Sequence, residues 1–391
     1  MNWKYIIIVM VLVAIVGGGI FAWKYFQVPG EEGVQIGESG LNLTTMKLTV
    51  IPGGYEAGFN DYVTPKFSAN GRQVVYPAER NGKFLVVVGG KEGKSYHNIM
   101  GPVISSDGKQ VAYGAQEKED GDWFIVVGNK EGRTYKNYVT DIMFSPDGKK
   151  FAYVGGKEGQ DCMVIGDEEK KCYDGIVWPV FVPDSEQVAY VATKEGKNCI
   201  VVDGREGKLY DSIKIPAFSP DGKHIAYVAR KEGKFIVVID DKDSIESYDM
   251  IGMNIVFSPD NQHIAYWTKK EDRWRVVIGG KEMKNYYDYP SHDIVFSPDG
   301  KQVAYTATKG EGKYVVVSGE KEGKSYDRIA LNSLVFAPDS EQVAYVATKE
   351  GKWFIVLGEK EWKTYDWVSN PIFSSDGKYI TFGARIGNEL W

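Results

Sequence analysis

The stretch FSPDGKKFAYV, Phe144 to Val154, returns as FSPDGKHIAYV from Phe218 and as FSPDGKQVAYT from Phe296. Looser copies begin at Phe67, Ile104, Phe181, Phe257, Phe336 and Phe373, so successive anchors lie 37, 40, 37, 37, 39, 39, 40 and 37 residues apart. A second block follows every anchor but the last, as in KYVVVSGEKEGKSYDRI, and sets a tyrosine at Tyr96, Tyr135, Tyr173, Tyr210, Tyr248, Tyr287, Tyr326 and Tyr365. Self-similarity at this period is the mark of a repeat architecture.

Each repeat reads as four short β runs. The first ends at the anchor, the second is the VAYVA-like run, the third is FIVVVG-like, and the fourth carries Tyr-Asp. Pro-Asp-Gly and Gly-Lys-Glu-Gly supply the turns between them. No helical periodicity of ten residues intervenes, which excludes βαβ units. Four antiparallel strands recurring near 40 residues predict a single β-propeller, because one such sheet cannot bury both faces until neighbours stack on it. Nine anchors predict nine blades, or eight with one irregular end. The last repeat stops at ITFGARIGNELW, and the run MKLTVI, Met46 to Ile51, is expected to supply its missing outer strand.

The signature FSPDGK-x-(I/V)-A-Y resembles the WD40-like β-propeller repeats of the TolB type, also found in the propellers of prolyl-oligopeptidase-like proteins. The resemblance covers about Asp61 to Trp391 and implies a fold. It departs from that family at the fourth strand, where GKEGKSYD-like text stands, and neither TolB's amino-terminal α/β domain nor a hydrolase domain is present. Partners are therefore not implied by it, since fold does not fix function.

The first residues differ from the rest. Lys4 precedes an unbroken apolar run from Tyr5 to Trp23, nineteen residues that as a helix would span about 28 Å, close to the hydrocarbon thickness of a bilayer. Trp3, Tyr5 and Trp23 stand at its ends, where amphipathic aromatics favour the interface. Residues 1–25 therefore read as a transmembrane signal anchor, with a cleaved signal peptide as the rival. Residues 26–45 read as a linker and 46–391 as the propeller. The expected location is single-pass membrane with the propeller extracytoplasmic, periplasmic or at the cell surface, or secreted if the segment is cleaved.

A net charge of −6, with acids and bases interspersed, argues against a nucleic-acid partner, which selects a basic face. Three cysteines and four histidines cannot build a zinc framework, and no cofactor is implied. Cys162 and Cys172 flank one hairpin symmetrically, and an extracytoplasmic setting permits a disulfide between them. Cys199 holds the same repeat position as Cys162 and reads as a buried thiol. His224 and His263 occupy a slot filled elsewhere by Gln73, Gln110, Gln187, Gln302 and Gln342, which reads as exposed and polar. Aspartates recurring in every turn and after every tyrosine read as structural.

Against this constant frame, the position three residues before each anchor varies: Thr64, Gly101, Asp141, Trp178, Ile215, Asn254, Asp293, Ser333 and Asn370. It is expected at the start of each innermost strand, on the rim of the channel mouth. Polar residues with one tryptophan suit ligand binding on a rigid scaffold. The candidate ligand-binding residues are Asp141, Trp178, Asn254, His292, Asp293 and Asn370; no catalytic and no metal residue is assigned. The sequence thus predicts a monomeric, non-enzymatic binding or scaffolding module whose partner is a protein, peptide or glycan outside the membrane. The alternative is a carbohydrate-active lyase or hydrolase working at the channel mouth.

Overall fold

The computed structural model describes residues 65–391 except 70, 72, 284–286, 311, 388 and 391, together with a short ladder of Val11–Leu12 with Trp23–Lys24. Apart from that ladder, the anchor expected over 1–25 lies outside the described residues, as do the linker and the MKLTVI run. Among the described residues there is no helix at all, so none is long and apolar enough to cross a membrane.

Every described element is a strand, and from Lys66 onward the strands fall into the repeats the anchors define, numbered one to nine here. The third is typical, a sheet of four strands in the order Tyr138–Phe144, Phe151–Lys157, Gln160–Ile165 and Glu168–Tyr173. Its second and third strands pair antiparallel without interruption, from Ala152 opposite Ile165 to Lys157 opposite Gln160. Repeats one, two and seven also carry full fourth strands, Lys91–Tyr96, Lys130–Tyr135 and Lys321–Tyr326. In repeats four, five, six and eight the fourth strand shrinks to two residues, and its tyrosine rejoins through a lone bridge such as Asn198 to Tyr210. The ninth repeat has only short pieces, ending at Glu389–Leu390.

The repeated words of the sequence become one repeated turn. Ser219, fully buried, donates its hydroxyl to Asp221 Oδ1 at 2.6 Å and accepts the amide of His224 at 3.0 Å. Asp221 also accepts the Lys223 amide at 3.2 Å. The same arrangement recurs at Ser105–Asp107, Ser145–Asp147, Ser258–Asp260, Ser297–Asp299 and Ser374–Asp376. The serine hydroxyl first, and the following amide second, hold Asp107 and Asp221 down to about 2. Gly222 completes the turn with φ +67°, and a Cβ there would lie 2.1 Å from the Pro183 carbonyl oxygen, so only glycine fits.

The chain divides into two compact units, Met1–Cys172 and Tyr173–Trp391. Within each, the core lies between consecutive repeats rather than inside any one. In the first unit, Ala112 and Ile125 of repeat two pack with Val139, Tyr153 and Val164 of repeat three. In the second, Val191 and Ile200 of repeat four join Tyr227, Ala229 and Val238 of repeat five. Each fully buried valine or isoleucine contributes about 1.5–3 kcal/mol relative to exposure. The alanine of the AY pair is completely buried in seven repeats, from Ala112 to Ala344, because the facing sheets leave no room for more.

Tyrosines and carboxylates join the same neighbours. The fourth-strand tyrosine meets the second-strand tyrosine of the next repeat edge-on, as Tyr210 meets Tyr227 with centroids 6.0 Å apart. In five repeats its hydroxyl then donates to an acid on the next repeat's outer strand: Tyr96 to Glu131 at 3.0 Å, Tyr135 to Glu169 at 3.0 Å, Tyr173 to Glu206 at 3.0 Å, Tyr210 to Asp243 at 2.7 Å and Tyr326 to Glu361 at 3.1 Å. The aspartate after the tyrosine caps the following hairpin; Asp327 accepts the Glu350 amide at 2.7 Å and Asp366 the Gly387 amide at 2.7 Å. The abundant acids therefore serve the joints between repeats.

Candidate functional site

Among the described residues the variable position does not sit at a strand start, as expected; in repeats two, three, four, six and seven it lies in the middle of the first strand. There the ladder slips: between Met100 and Val103, Thr140 and Met143, Val177 and Val180, Ile251 and Ile255, and Pro290 and Ile294. A β-bulge re-aims the side chain it carries. At Gly101, Asp141 and Trp178 the backbone turns left-handed, with φ of 55°, 50° and 53°. In repeats five and eight the slip breaks the strand in two, leaving Ile215 and Ser333 between Ser212–Ile213 and Ala217–Phe218, and between Arg328–Ile329 and Val335–Phe336.

In the first unit, Asp141 is exposed as a residue, yet desolvation of its carboxyl raises it above the usual carboxylate range, with the charge of Asp161 adding to the rise and the Thr140 hydroxyl opposing it. Asp161 accepts the Tyr138 hydroxyl. That ring lies against Gly156, where a Cβ would stand 2.8 Å from it. Repeat three carries Gly155-Gly156 where repeat four has Ala192-Thr193, and the missing side chains make the space.

The second unit separates the remaining candidates. Asp293 is buried, 6% exposed, and both its oxygens accept the Asn332 amide at 3.1 Å. Asn370 Nδ2 donates to the Asn332 carbonyl at 3.0 Å. Ser333, also buried, donates to the Ala330 carbonyl at 2.7 Å and accepts the Val346 amide at 3.2 Å. Three candidate positions in consecutive repeats therefore converge on one left-handed turn at Asn332, φ 56°, and their polar groups fix it. Asn254 is exposed. His292 lies on the strand Tyr289–Phe296, its side chain outside the described residues.

Trp178 stands apart. It is 43% exposed, with Val177 at 44% and Val180 at 38% on its own strand and Ile215 at 44% on the next repeat. A bulky side chain on left-handed backbone costs about 1–3 kcal/mol and persists only where its surroundings dictate it.

Lys214, one residue before Ile215, carries no signal in the sequence beyond being a lone lysine among apolar neighbours. Its Nζ donates to the Ile251 carbonyl of the next repeat at 2.6 Å and lies 5.1 Å from the Phe235 ring centroid. Desolvation pulls it below the usual lysine value. The ammonium thereby ties its own repeat to the first strand of the next, just before the ladder slips there.

Cys162 and Cys172 form a disulfide with Cα atoms 4.1 Å apart, and Cys199 is fully buried. Among the described residues the one gathering of potential metal ligands is Cys162, Glu169 and Cys172. Both sulfurs are spent on the disulfide there, and Glu169 is held by Tyr135 and by Arg133 at 3.0 Å.

No family model matches the chain, and no curated protein matches it. Among solved structures it is similar to a eukaryotic initiation factor, 10% identical over 78% of this chain and 87% of that one with a TM-score of 0.45. It is similar also to TolB from Acinetobacter baumannii, 16% identical over 75% and 80% with a TM-score of 0.33. A third likeness is to the β-propeller domain of the Trilobed protease from Pyrococcus furiosus, 17% identical over 68% and 97% with a TM-score of 0.34. Likenesses of this order are too distant to carry an argument about function.

Proposed function

We propose that this chain is a binding or scaffolding module and not an enzyme, its repeats the blades of a propeller held outside a membrane by residues 1–25. The observation that carries the binding reading is the exposure of Trp178 at 43%, with Val177 at 44% and Val180 at 38% on the same strand, which a ladder pairs to the next strand of its sheet. Apolar side chains clustered in water mark a surface meant to be covered, and a tryptophan is the residue most often found at the centre of such contacts. Peptide and glycan arrays probed with the full chain in detergent test it. Ligands that bind wild type are expected to bind Trp178→Ala at least tenfold more weakly at unchanged Tm; binding indifferent to Trp178 would remove the patch from the reading. Protease accessibility and carbonate extraction of membranes test the anchor.

One observation favours the carbohydrate-active alternative: the raised carboxyl of Asp141 beside the charge of Asp161 has the character a general acid needs. Turnover on a glycan panel that Asp141→Asn abolishes would replace the binding reading with this one.

A further inference from the structure

Across the third and fourth strands of their repeats, Leu85 faces Ser95, Phe124 faces Thr134 and Val315 faces Ser325. Repeat three alone has cysteine in both places, Cys162 and Cys172, with Cα atoms 4.1 Å apart. The position of Glu169 is acidic in repeats one to eight, so this carboxylate serves the joint with repeat two, and the cysteines are what repeat three adds beside it. One donor atom from each of Cys162, Glu169 and Cys172 lies within 4.8 Å of the other two, the one such convergence among the described residues.

In the oxidised chain the sulfurs hold each other, and an ion cannot use them. A dithiol reductant changes that. It gives two electrons and two protons, the S–S bond breaks, each sulfur leaves as a thiol, and the reductant closes to its own disulfide. Two thiols and a carboxylate then surround one point, a donor set whose softness suits zinc. Zinc displaces both thiol protons as it binds. Cys162 is fully buried, whereas Cys172 is half-buried and the Glu169 side chain 19% exposed, so the approach is from the outer strand, where water completes the coordination. The neighbours of the carboxylate fit this use. The Tyr135 hydroxyl and Arg133 Nη1 each reach Glu169 Oε2 at 3.0 Å, and Lys157 Nζ stands 3.8 Å from Oε1. A ligand held from behind binds metal better than a loose one. The two cations also offset the excess charge of three anionic ligands around a divalent ion and favour the thiolates.

We propose that the reduced Cys162 and Cys172 thiols bind one zinc ion together with Glu169, and that the disulfide is the closed, oxidised form of the same site. Neither state depends on the Trp178 surface, so this site and the binding reading can fail separately.

The test uses the full chain in detergent, oxidised or reduced with a phosphine. Cadmium titration followed by the thiolate-to-metal charge-transfer absorbance reports the sulfurs, and zinc is then measured by competition with a chromophoric chelator. The reduced chain is expected to bind one equivalent of either ion, the oxidised chain none, and zinc to raise the Tm of the reduced chain only. Cys172→Ser places there the serine that repeats one and seven already use, and it is expected to abolish the absorbance. Glu169→Gln should weaken zinc binding at least about tenfold, with Glu169→Asp restoring part of it, and Cys199→Ala should bind as wild type. A reduced chain without saturable absorbance or zinc-dependent Tm overturns the proposal, as does wild-type affinity in Cys172→Ser or Glu169→Gln, or equal binding by the oxidised chain.

Discussion

Ser219→Ala removes one oxygen and orphans two groups. The hydroxyl is completely buried, donating to Asp221 Oδ1 at 2.6 Å and accepting the His224 amide at 3.0 Å. Asp221 reaches solvent and recovers most of its loss from water. The His224 amide has no such recourse, and leaving a buried donor unmade costs about 1–3 kcal/mol. The expected loss is about 2 kcal/mol, read from urea unfolding followed by tryptophan fluorescence. Ser374→Ala supplies the control, because Ser374 makes the same bonds, to Asp376 at 2.6 Å and from the Tyr379 amide at 3.0 Å, in an exposed setting. There water replaces the hydroxyl, and a loss well under 1 kcal/mol is expected. Acid titration gives a second reading. Asp221 sits at about 2, below its ordinary 3.8, so the stability it contributes is complete above that ordinary value and disappears as pH falls through about 2. Without the serine hydroxyl the Asp221 value rises, and the loss of stability between roughly pH 4 and 2 becomes shallower. Equal losses in the two alanine variants, or an unchanged acid limb in Ser219→Ala, would refute the claim that the buried hydroxyl organises this turn.

Gly155→Ala is expected to lower stability by about 1–3 kcal/mol by overpacking, since its Cβ would stand 2.4 Å from the Tyr135 ring; calorimetric Tm should fall, whereas Gly175→Ala, with its nearest contact at 3.5 Å, should barely move it. Reducing the Cys162–Cys172 bond, which closes a separation of 10 residues, should cost about 2–3 kcal/mol on the loop-entropy estimate, and Cys172→Ser should match it without reductant; a reduced wild type as stable as the oxidised one would contradict this. Lys214 is held below its ordinary 10.5 in the folded chain, so wild-type stability should rise with pH between that lowered value and 10.5, where the unfolded chain binds the extra proton. Lys214→Met should lack that rise in a pH series of denaturation midpoints.

The strands, their order and their turns were legible because the Ser, Asp and Gly of each anchor do the same physical work every time they occur. What the period concealed was where the first strand slips. The residues between Tyr-Asp and the anchor carry no repeated word, so Asp141 and Trp178 read as a strand start when each sits on a bulge. Asp293 and Asn370 read as open rim polar groups because the amide that occupies them, Asn332, belongs to another repeat. His224 read as one more member of an exposed polar slot; its bond to Asp240 depends on a departure from glycine sixteen residues later. One-off changes such as Tyr138 with Gly155 and Gly156 make sense only once cross-strand register is known.

At Tyr96, Tyr135, Tyr173, Tyr210 and Tyr326 the tyrosine that ends one repeat and the acid that receives it on the next are a plug and a socket of the same gauge. Those five junctions are not keyed to their own place in the chain, so excising or duplicating one whole period between them leaves matched ends to meet. A gain or loss of one whole period is thus tolerated at those joints more readily than a change of a few residues inside any single step.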